Sequence, residues 1–379
     1  MILVDYSSII HRMIHTSIKD SKPKKINGQF NTKEFINLTK HLILQELFNI
    51  QRQHSPSFGD LIICLDDKQG YWRRDVFSAY KAHRRKDREE SEINYSEVFD
   101  ELDSLVHQIK ENLPWKTLLI PRAEADDTIL VLAKEFYNSE KILIHSPDKD
   151  MIQAQRNNDT VFQYSSLTKK WIVPENKHDN MDHWIQEHVI FGDSSDGVPK
   201  VVDGTEFSDN FKKHLEDCDV PPVFHDVYTF KYGFKDINGQ VVQEIPKDKK
   251  IDILEAFTIE KTNRKGESTG VKDVYKDIRF GSTTLEKAVQ KHGSVEKFID
   301  SNPLYREHYD RNFILVMEEG IPVDIWNQII LEFKTAKYEY NKDEFIDYLN
   351  KHMLKSIEMD LPLVFRETVS ELTADNCGW

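Results

Sequence analysis

Short apolar runs alternate with amphipathic stretches along the first half of the chain. Runs of four to six residues rich in Ile, Leu and Val are typical of buried strands in a parallel sheet. These runs lie at 2–5, 61–66, 116–120 and 141–146. Helical spacing between them is found at 31–53, 96–112 and 126–138. Because parallel strands need crossover connections, this order predicts an α/β fold with a mostly parallel central sheet flanked by helices.

The second half of the chain has a different pattern. Residues 160–173 alternate on both sides of a polar turn and predict a hairpin. After residue 181 the apolar spacing is mainly helical, at 181–191, 283–299, 303–318, 322–334 and 342–356. The charged stretch between Val202 and Phe280 has no clear period, and its Gly, Ser and Lys content near 261–273 predicts a mobile loop.

Carboxylate residues lie at or just after the C-terminal ends of the predicted strands. The acidic residues at these positions are Asp5, Asp66, Asp67, Glu124, Asp126, Asp127, Asp148 and Asp150, and Asp193 and Asp196 follow the apolar run VIFG. In an open α/β sheet the ligand crevice lies outside the carboxyl ends of the strands, so these side chains should converge. Asp is also common at helix N-termini, and capping alone could account for Asp127.

Converging carboxylates with almost no His or Cys among them favour Mg²⁺ or Mn²⁺ over zinc. Glu124 and Asp126 are spaced i, i+2 after one strand, and Asp148 and Asp150 repeat that spacing after the next. Two such pairs could hold two ions about 3.5–4 Å apart, the arrangement used for in-line displacement at phosphorus. The sequence therefore predicts metal-dependent phosphoryl transfer.

A basic and aromatic segment lies between two of the acidic groups. Residues 71–88 carry Arg73, Arg74, Lys81, Arg84, Arg85, Lys86 and Arg88, with Tyr71, Trp72, Phe77 and Tyr80 interleaved. Cations neutralise phosphates and aromatic rings stack on unpaired bases, which favours nucleic-acid binding over the alternative of a solvated surface helix. Further on, the turn GDSSDGVPKV at 192–201 could offer backbone N–H groups to a phosphate, or it could be a surface loop with Asx turns.

Composition sets the broad class. The chain has 379 residues, enough for more than one domain, and a formal net charge of -14, to which the acidic clusters contribute. Its three widely spaced cysteines argue against disulfides and structural zinc, and indicate a reducing compartment. With no apolar run of 18 residues and no secretory pattern at MILVDYSSI, we expect a cytoplasmic protein, in the host cytoplasm if a phage encodes it.

Taken in order, these motifs resemble the flap endonuclease family of 5′ nucleases, and most closely its branch in T-even bacteriophages. The matching stretches are LVDYSSI (3–9), ICLDDKQGYWRRDVFSAYKAHRRK (63–86), AEADDTILVLAK (123–134), ILIHSPDKDM (142–151) and GDSSDGVPKV (192–201). The second half of the family's helix-three-turn-helix unit is similar to residues 280–299, and a fainter likeness covers 308–330.

The resemblance implies a role for each matching residue. Asp66, Glu124 and Asp126 would bind a first metal ion, with Asp5 contributing through water. Asp148, Asp150, Asp193 and Asp196 would define a second site, with Asp127 supporting it. Lys81 and Arg84 would steer the scissile phosphate, so that Lys81, Arg84 and Asp126 form the catalytic set. The residues implied to contact DNA are Arg73, Arg74, Lys81, Arg84, Arg85, Lys86, Gly197, Val198 and Lys200.

The resemblance also implies a domain plan. Residues 1–180 would form a PIN-like nuclease core, with a basic helical arch at about 70–95. Residues 181–340 would form a mainly helical DNA-binding domain containing the helix-three-turn-helix unit, with an insertion at about 203–279. Residues 341–379 would add a C-terminal helix and tail.

The implied activity is 5′-to-3′ cleavage with two Mg²⁺ ions, for which Mn²⁺ would substitute. Its substrates would be DNA with a 5′ flap, an RNA–DNA hybrid or a nicked duplex, as in the removal of RNA primers during DNA replication. A monomer with no membrane contact is expected, and a sliding clamp or single-stranded DNA-binding protein could be a partner. Two alternatives stay open: a PIN-type ribonuclease, and a non-catalytic junction-binding replication factor.

Overall fold

The computed structural model describes most of the chain. The described residues are 1–21, 32–82, 95–156, 158–173, 181–202, 280–336 and 340–365, with seven short strands between 205 and 277. They divide into two compact units. The first comprises 1–185, 195–197 and 314 onwards, and the second comprises 186–194 and 198–313.

A six-stranded sheet forms the centre of the first unit. Its strands are β1 (Ile2–Asp5), β2 (Leu61–Leu65), β3 (Lys116–Leu119), β4 (Ile142–His145), β5 (Val161–Ser165) and β6 (Lys170–Ile172). They lie in the order β3-β2-β1-β4-β5-β6, and all neighbouring pairs are parallel except β5 and β6. The mostly parallel sheet and the hairpin predicted at 160–173 are both confirmed.

Helices cover both faces of this sheet. In the first unit they are α1 (Tyr6–Ser21), α2 (Thr32–Phe58), α3 (Arg73–Val76), α4 (Tyr95–Asn112), α5 (Ala125–Phe136) and the start of α6 (Met181–Phe191). Its later helices are α10 (Val323–Thr335), α11 (Lys342–Lys351) and α12 (Leu361–Phe365), and 3₁₀ turns occur at Lys149–Gln155, Glu318–Gly320 and Lys355–Asp360. Helix α1 directly follows β1 and was not predicted from the sequence.

Strand residues alternate between two hydrophobic cores because side chains of a strand point to opposite faces in turn. Ile2 and Val4 pack with helices α1, α2, α4 and α11 in one core, whereas Leu3 packs with α5 and α10 in the other. The runs read as continuously apolar because both faces are buried. Residues 314–336, which the sequence assigned to the DNA-binding domain, therefore belong with the sheet, since Ile325 and Ile329 lie in its second core.

The second unit is helical with a β-rich insertion. Its helices are the end of α6, α7 (Ser282–His292), α8 (Val295–Asp300) and α9 (Pro303–Val316) up to Phe313. The single helix predicted at 283–299 is divided, because Gly293 adopts a left-handed conformation with φ of 90° and Ser294 caps α8. A small core joins Ile190, Val201 and Val202 to Phe280 and Leu285.

Seven short strands are described within the insertion, where the sequence predicted low order and a mobile loop. Its strands are β7 (Thr205–Phe207), β8 (Val223–Asp226), β9 (Lys231–Lys235), β10 (Val241–Ile245), β11 (Glu260–Thr262), β12 (Ser268–Val271) and β13 (Tyr275–Asp277). Strands β11 and β12, within the predicted mobile loop, pair with each other. Strand β7 pairs antiparallel with β13, so the two ends of the insertion lie side by side. Among the described residues, no helix is both long enough and apolar enough to span a membrane.

Candidate metal centre

The acidic residues of the first unit gather because their strands are neighbours and run the same way. Strand β1 lies between β2 and β4 and is parallel to both, so all three end at one edge of the sheet. Asp5 is the last residue of β1, Asp66 directly follows β2, and Asp148 follows β4 by three residues. Glu124 and Asp126 lie where β3 passes into α5.

Asp5 is buried at the centre of this edge. Its Oδ1 accepts a hydrogen bond from the Ser8 backbone N–H (3.0 Å), and its Oδ2 accepts one from Ser146 Oγ (2.8 Å). Burial, followed by the charge of Asp66, nevertheless raises the pKa of the Asp5 carboxyl. Two hydrogen bonds therefore do not offset the loss of water and the nearby like charge.

Asp126 lies among other negative charges of the cluster. Burial, followed by the charges of Asp5 and Asp148, raises the pKa of its carboxyl well above the ordinary value, and Lys81 opposes this shift. Among the residues that the structure describes, none donates a hydrogen bond to the Asp126 carboxylate. A carboxylate in this position lacks a counter-charge of its own, as expected for a cation ligand.

Asp148 caps a 3₁₀ turn and faces the same cluster. Its Oδ1 accepts a hydrogen bond from the Asp150 backbone N–H (2.9 Å). Burial, followed by the charge of Asp150, raises the pKa of the Asp148 carboxyl to about 6, and the charges of Asp5 and Asp196 act in the same direction. Four carboxylates thus act on one another around this position.

Asp66 and Glu124, in contrast, are held by donors. The Asp66 carboxylate accepts from Ser7 Oγ (2.5 Å) and from the Ala125 backbone N–H (2.7 Å). Glu124 Oε2 accepts from Arg73 Nη1 (3.0 Å). The Tyr80 hydroxyl shares its single proton between two carboxylates, since it lies 2.9 Å from Glu124 Oε2 and 2.7 Å from Asp196 Oδ2. These bonds fix the two carboxylates at the edge of the acidic cluster.

The donor set fits a divalent cation of the hard class. Every candidate ligand in the cluster is a carboxylate oxygen, the ligand type that Mg²⁺, Ca²⁺ and Mn²⁺ prefer. Burial, followed by neighbouring negative charges, raises the pKa values of Asp5, Asp126 and Asp148, so their ionised forms are disfavoured there. A bound cation would stabilise those ionised forms.

Asp127 is held by partners inside the protein. It is fully buried, and its Oδ2 accepts from the Glu124 backbone N–H (2.9 Å) and from Trp72 Nε1 (3.0 Å). Its Oδ1 pairs with Arg73 Nη2 at 2.8 Å. The capping alternative thus describes Asp127, which holds the start of α5, and its support of a metal site stays a prediction.

The described part of the basic segment is compact, with the four-residue helix α3 and a turn up to residue 82. Arg73 is buried against Glu124 and Asp127, so it has no exposed guanidinium for the DNA contact predicted for it, whereas Arg74 is exposed. Arg84, Arg85 and Lys86 lie outside the described residues.

Lys81 is a buried cation within the acidic cluster. Its ammonium bonds Glu124 Oε1 and lies 3.3 Å from Asp196 Oδ2. Its backbone has a positive φ of 54°, and its N–H donates to the Asp196 carbonyl (2.8 Å). A non-glycine residue in this region costs about 1–2 kcal/mol and is often found at functional sites.

The turn at 192–201 is closed by contacts between residues of the second unit. Asp193 and Val198 exchange backbone hydrogen bonds of 3.0 and 2.7 Å, and Gly192 has a positive φ of 63°. The buried Asn312 amide donates to the carbonyls of Val189 (3.0 Å) and Pro199 (2.8 Å).

Three residues predicted to contact DNA lie in or beside this turn. Lys200 is exposed, and its Nζ donates to the Phe280 carbonyl (2.6 Å). The Val198 side chain is buried, and Gly197 has a positive φ of 74°, so the backbone is what both residues can offer. Asp193 is buried in this unit, and its assignment as a metal ligand stays a prediction.

Several residues of the site were missed from the sequence. Ser7 and Ser146 hold Asp66 and Asp5, and Trp72 and Tyr80 hold Asp127 and Glu124. Both serines lie within two residues of a candidate ligand in the chain, a signal that could have indicated them. The two aromatic residues were assigned to base stacking because only the fold shows that they are buried.

Comparison with known proteins agrees with this geometry. Residues 1–183 match the family model of the 5′-3′ exonuclease N-terminal resolvase-like domain. These residues, just under half of the chain, are similar to that exonuclease domain. The resemblance to 5′ nucleases seen in the sequence is thereby confirmed.

Two relatives of this exonuclease domain show how far the likeness extends. Ribonuclease H of Enterobacteria phage T4 is 34% identical over 183 residues, which cover 47% of this chain and 59% of that protein. The 5′-3′ exonuclease of Mycoplasmopsis pulmonis is 26% identical over 205 residues, which cover 53% and 61%. The chain thus spans about three fifths of the length of these relatives.

A solved structure supports the fold of this chain. Phage T5 5′-exonuclease, in a structure described as containing bound divalent zinc, superposes with a TM-score of 0.51 at 15% identity. The match covers 89% of this chain and 99% of that one. The α/β core followed by a helical region, as predicted, is confirmed.

Proposed function

We propose that this protein is a Mg²⁺-dependent 5′ nuclease that cleaves 5′ flaps, RNA–DNA hybrids and nicked duplexes during DNA replication. The observation that carries the proposal is the mutual repulsion of Asp5, Asp126 and Asp148 at the common end of parallel strands, within a 5′-3′ exonuclease domain. A bound cation would relieve the repulsion within such a cluster at neutral pH.

The chain's carboxylates divide into two groups that could each hold an ion. Asp66, Glu124 and Asp126, with Asp5 beside them, form the first group, and Asp148, Asp150 and Asp196 form the second. When bound, the ions would supply an activated water and neutralise charge on the phosphate. Mg²⁺ is the proposed ion because all these ligands are carboxylates, and Mn²⁺ should substitute.

Lys81 would provide a positive charge beside these groups. In the structure it bonds Glu124 and approaches Asp196, and its Nζ lies 5.1 Å from the centroid of the Tyr80 ring. A positive charge held at this point would stabilise the negative charge that develops on a phosphate during cleavage. Exposed Arg74 and Lys200 would contact the phosphate backbone.

A 5′-labelled flap substrate with Mg²⁺ tests the proposal. We expect release of a short labelled product by the wild type, and none after addition of EDTA. The matched control is Asp126→Asn, which should still shift the flap in a gel with Ca²⁺. A wild type that shifts the flap but never cuts it would instead identify a junction-binding factor, and cleavage restricted to single-stranded RNA would identify a PIN-type ribonuclease.

A further inference from the structure

Arg73 is a buried cation with three acceptors. Only 4% of the residue is exposed, and it opens helix α3. Its Nη1 donates to Glu124 Oε2 (3.0 Å), its Nη2 pairs with Asp127 Oδ1 (2.8 Å), and its Nε donates to the Leu315 carbonyl (2.8 Å). All three directions of the guanidinium are therefore used inside the protein.

The surroundings of Arg73 leave it little freedom to move. The guanidinium carbon lies 4.5 Å from the centroid of the Trp72 ring and 5.9 Å from that of Tyr80. Trp72 also donates to Asp127, and Tyr80 also donates to Glu124. Removing a buried guanidinium from such a set would leave carboxylates without partners.

These contacts determine where the Glu124 carboxylate points. Arg73 and Tyr80 both bond Oε2, and Asp127, which Arg73 also holds, accepts the Glu124 backbone N–H. With Oε2 and the backbone fixed, Oε1 is directed to the side where Lys81 lies. A lysine in place of Arg73 would keep the charge but could not bond in three fixed directions.

We propose that Arg73 is a positioning residue that orients Glu124 for a divalent cation, and that it does not contact nucleic acid. This inference rests on the proposed function, in which Glu124 is a metal ligand. Partners of metal ligands in other proteins change metal affinity by about 10–100-fold when they are replaced.

The test compares Arg73→Lys with Arg74→Lys by calorimetric titration of Mn²⁺ into the full chain. Both changes keep the charge, but only the first removes buried bonds. We expect the Mn²⁺ dissociation constant to rise about 10-fold or more in Arg73→Lys and to stay within about two-fold in Arg74→Lys. The Mg²⁺ concentration that gives half-maximal flap cleavage should rise in parallel, with flap affinity in Ca²⁺ unchanged.

A second variant separates positioning from stability. Arg73→Ala should regain Mn²⁺ affinity when methylguanidinium is added, because the small cation can occupy the vacated position. Unchanged Mn²⁺ affinity in Arg73→Lys would overturn the proposal. The proposal would also be overturned if Arg73→Ala, with methylguanidinium added, regained its fold without its Mn²⁺ affinity. It would equally be overturned if Arg73→Ala regained neither.

The two proposals fail in different ways. A wild type that binds Mn²⁺ but cuts no flap would end the proposed function, while the ratio of Mn²⁺ affinities would still decide the role of Arg73. A wild type that cuts flaps, together with an Arg73→Lys protein of normal Mn²⁺ affinity, would end only the inference about Arg73.

Discussion

Lys81 and Glu124 form a buried ion pair at the acidic edge of the sheet. The same ammonium lies 3.3 Å from Asp196, so one cation serves two predicted metal ligands. Because a bound divalent ion would satisfy the same oxygens, Lys81 would then be available to a phosphate. Its charge would therefore act at the point of cleavage rather than where the duplex is gripped.

For this reason we expect Lys81→Ala to slow cleavage more than it weakens binding. Loss of one such electrostatic contact typically costs about 10²–10³-fold in rate. Single-turnover cleavage measures the rate, and flap titration in Ca²⁺ measures binding. The matched control is Arg74→Ala, which should weaken flap binding with little effect on the rate. Equal losses of rate and binding in Lys81→Ala would remove its proposed role in the chemical step.

Asp126→Asn should abolish cleavage and also stabilise the metal-free fold. The pKa of this carboxyl is raised by burial and by the charge of Asp5. Replacing it with an amide therefore decreases the repulsion within the cluster. We expect a loss of activity beyond the roughly 100-fold typical of changes to outer partners. Calorimetry in EDTA should show a higher melting temperature than that of the wild type. A lower one would show that Asp126 stabilises the fold.

The raised pKa of Asp148 predicts a dependence of stability on pH. Its folded-state pKa of about 6 lies above the ordinary 3.8, so the folded protein binds the proton more tightly than the unfolded chain does. This group therefore destabilises the metal-free fold as pH rises from about 4 to about 6, by up to roughly 3 kcal/mol. Asp148→Asn should stabilise the metal-free protein at pH 7, and the difference should vanish near pH 4. Urea unfolding in EDTA at several pH values measures it, and a difference independent of pH would show that the titration of Asp148 is not its cause.

Gly192→Ala should disrupt the turn at 192–201. A Cβ there would lie 2.4 Å from the Val198 carbonyl oxygen, and the positive φ adds about 1–2 kcal/mol of strain. Gly293→Ala is the matched control, because it has positive φ but no atom within 4 Å of the new Cβ. Denaturant unfolding should show a larger loss for Gly192→Ala, accompanied by weaker duplex binding. Similar losses of stability in the two variants would mean that the backbone around residue 192 moves to relieve the clash.

The insertion should be removable without loss of the metal centre. Because Phe207 pairs with Tyr275, residues 208–274 could be replaced by an Asn-Gly turn joining β7 to β13. We expect unchanged Mn²⁺ affinity, since the acidic cluster lies in the first unit. Any fall in flap binding then measures what the insertion contributes to the substrate. A fall in Mn²⁺ affinity would contradict this division of roles.

One feature of the sequence allowed both the sheet and the convergence of its acidic side chains to be predicted. The parallel strands are buried on both faces, so each produces an apolar run whose end is easily seen, as at Leu65 before Asp66. Helix α1 was missed because it begins at Tyr6, directly after the strand, without a turn between them.

The fate of individual charges could not be predicted in the same way. Arg73 and Arg74 are neighbours of one type, yet one is buried against Glu124 and the other is exposed. Which of them faces inward depends on the start of α5, some fifty residues further along the chain. The strands of the insertion were missed because they are short and carry nearly as many charged as apolar residues.

The order of strands in the central sheet also has a consequence for synthesis of the protein. Strand β1 emerges first from the ribosome but is completed on its other side only when β4 arrives, about 140 residues later. A growing polypeptide therefore carries Asp5 long before Asp148 can join it. If the proposed nuclease activity needs both carboxylates, it cannot arise before the sheet is assembled.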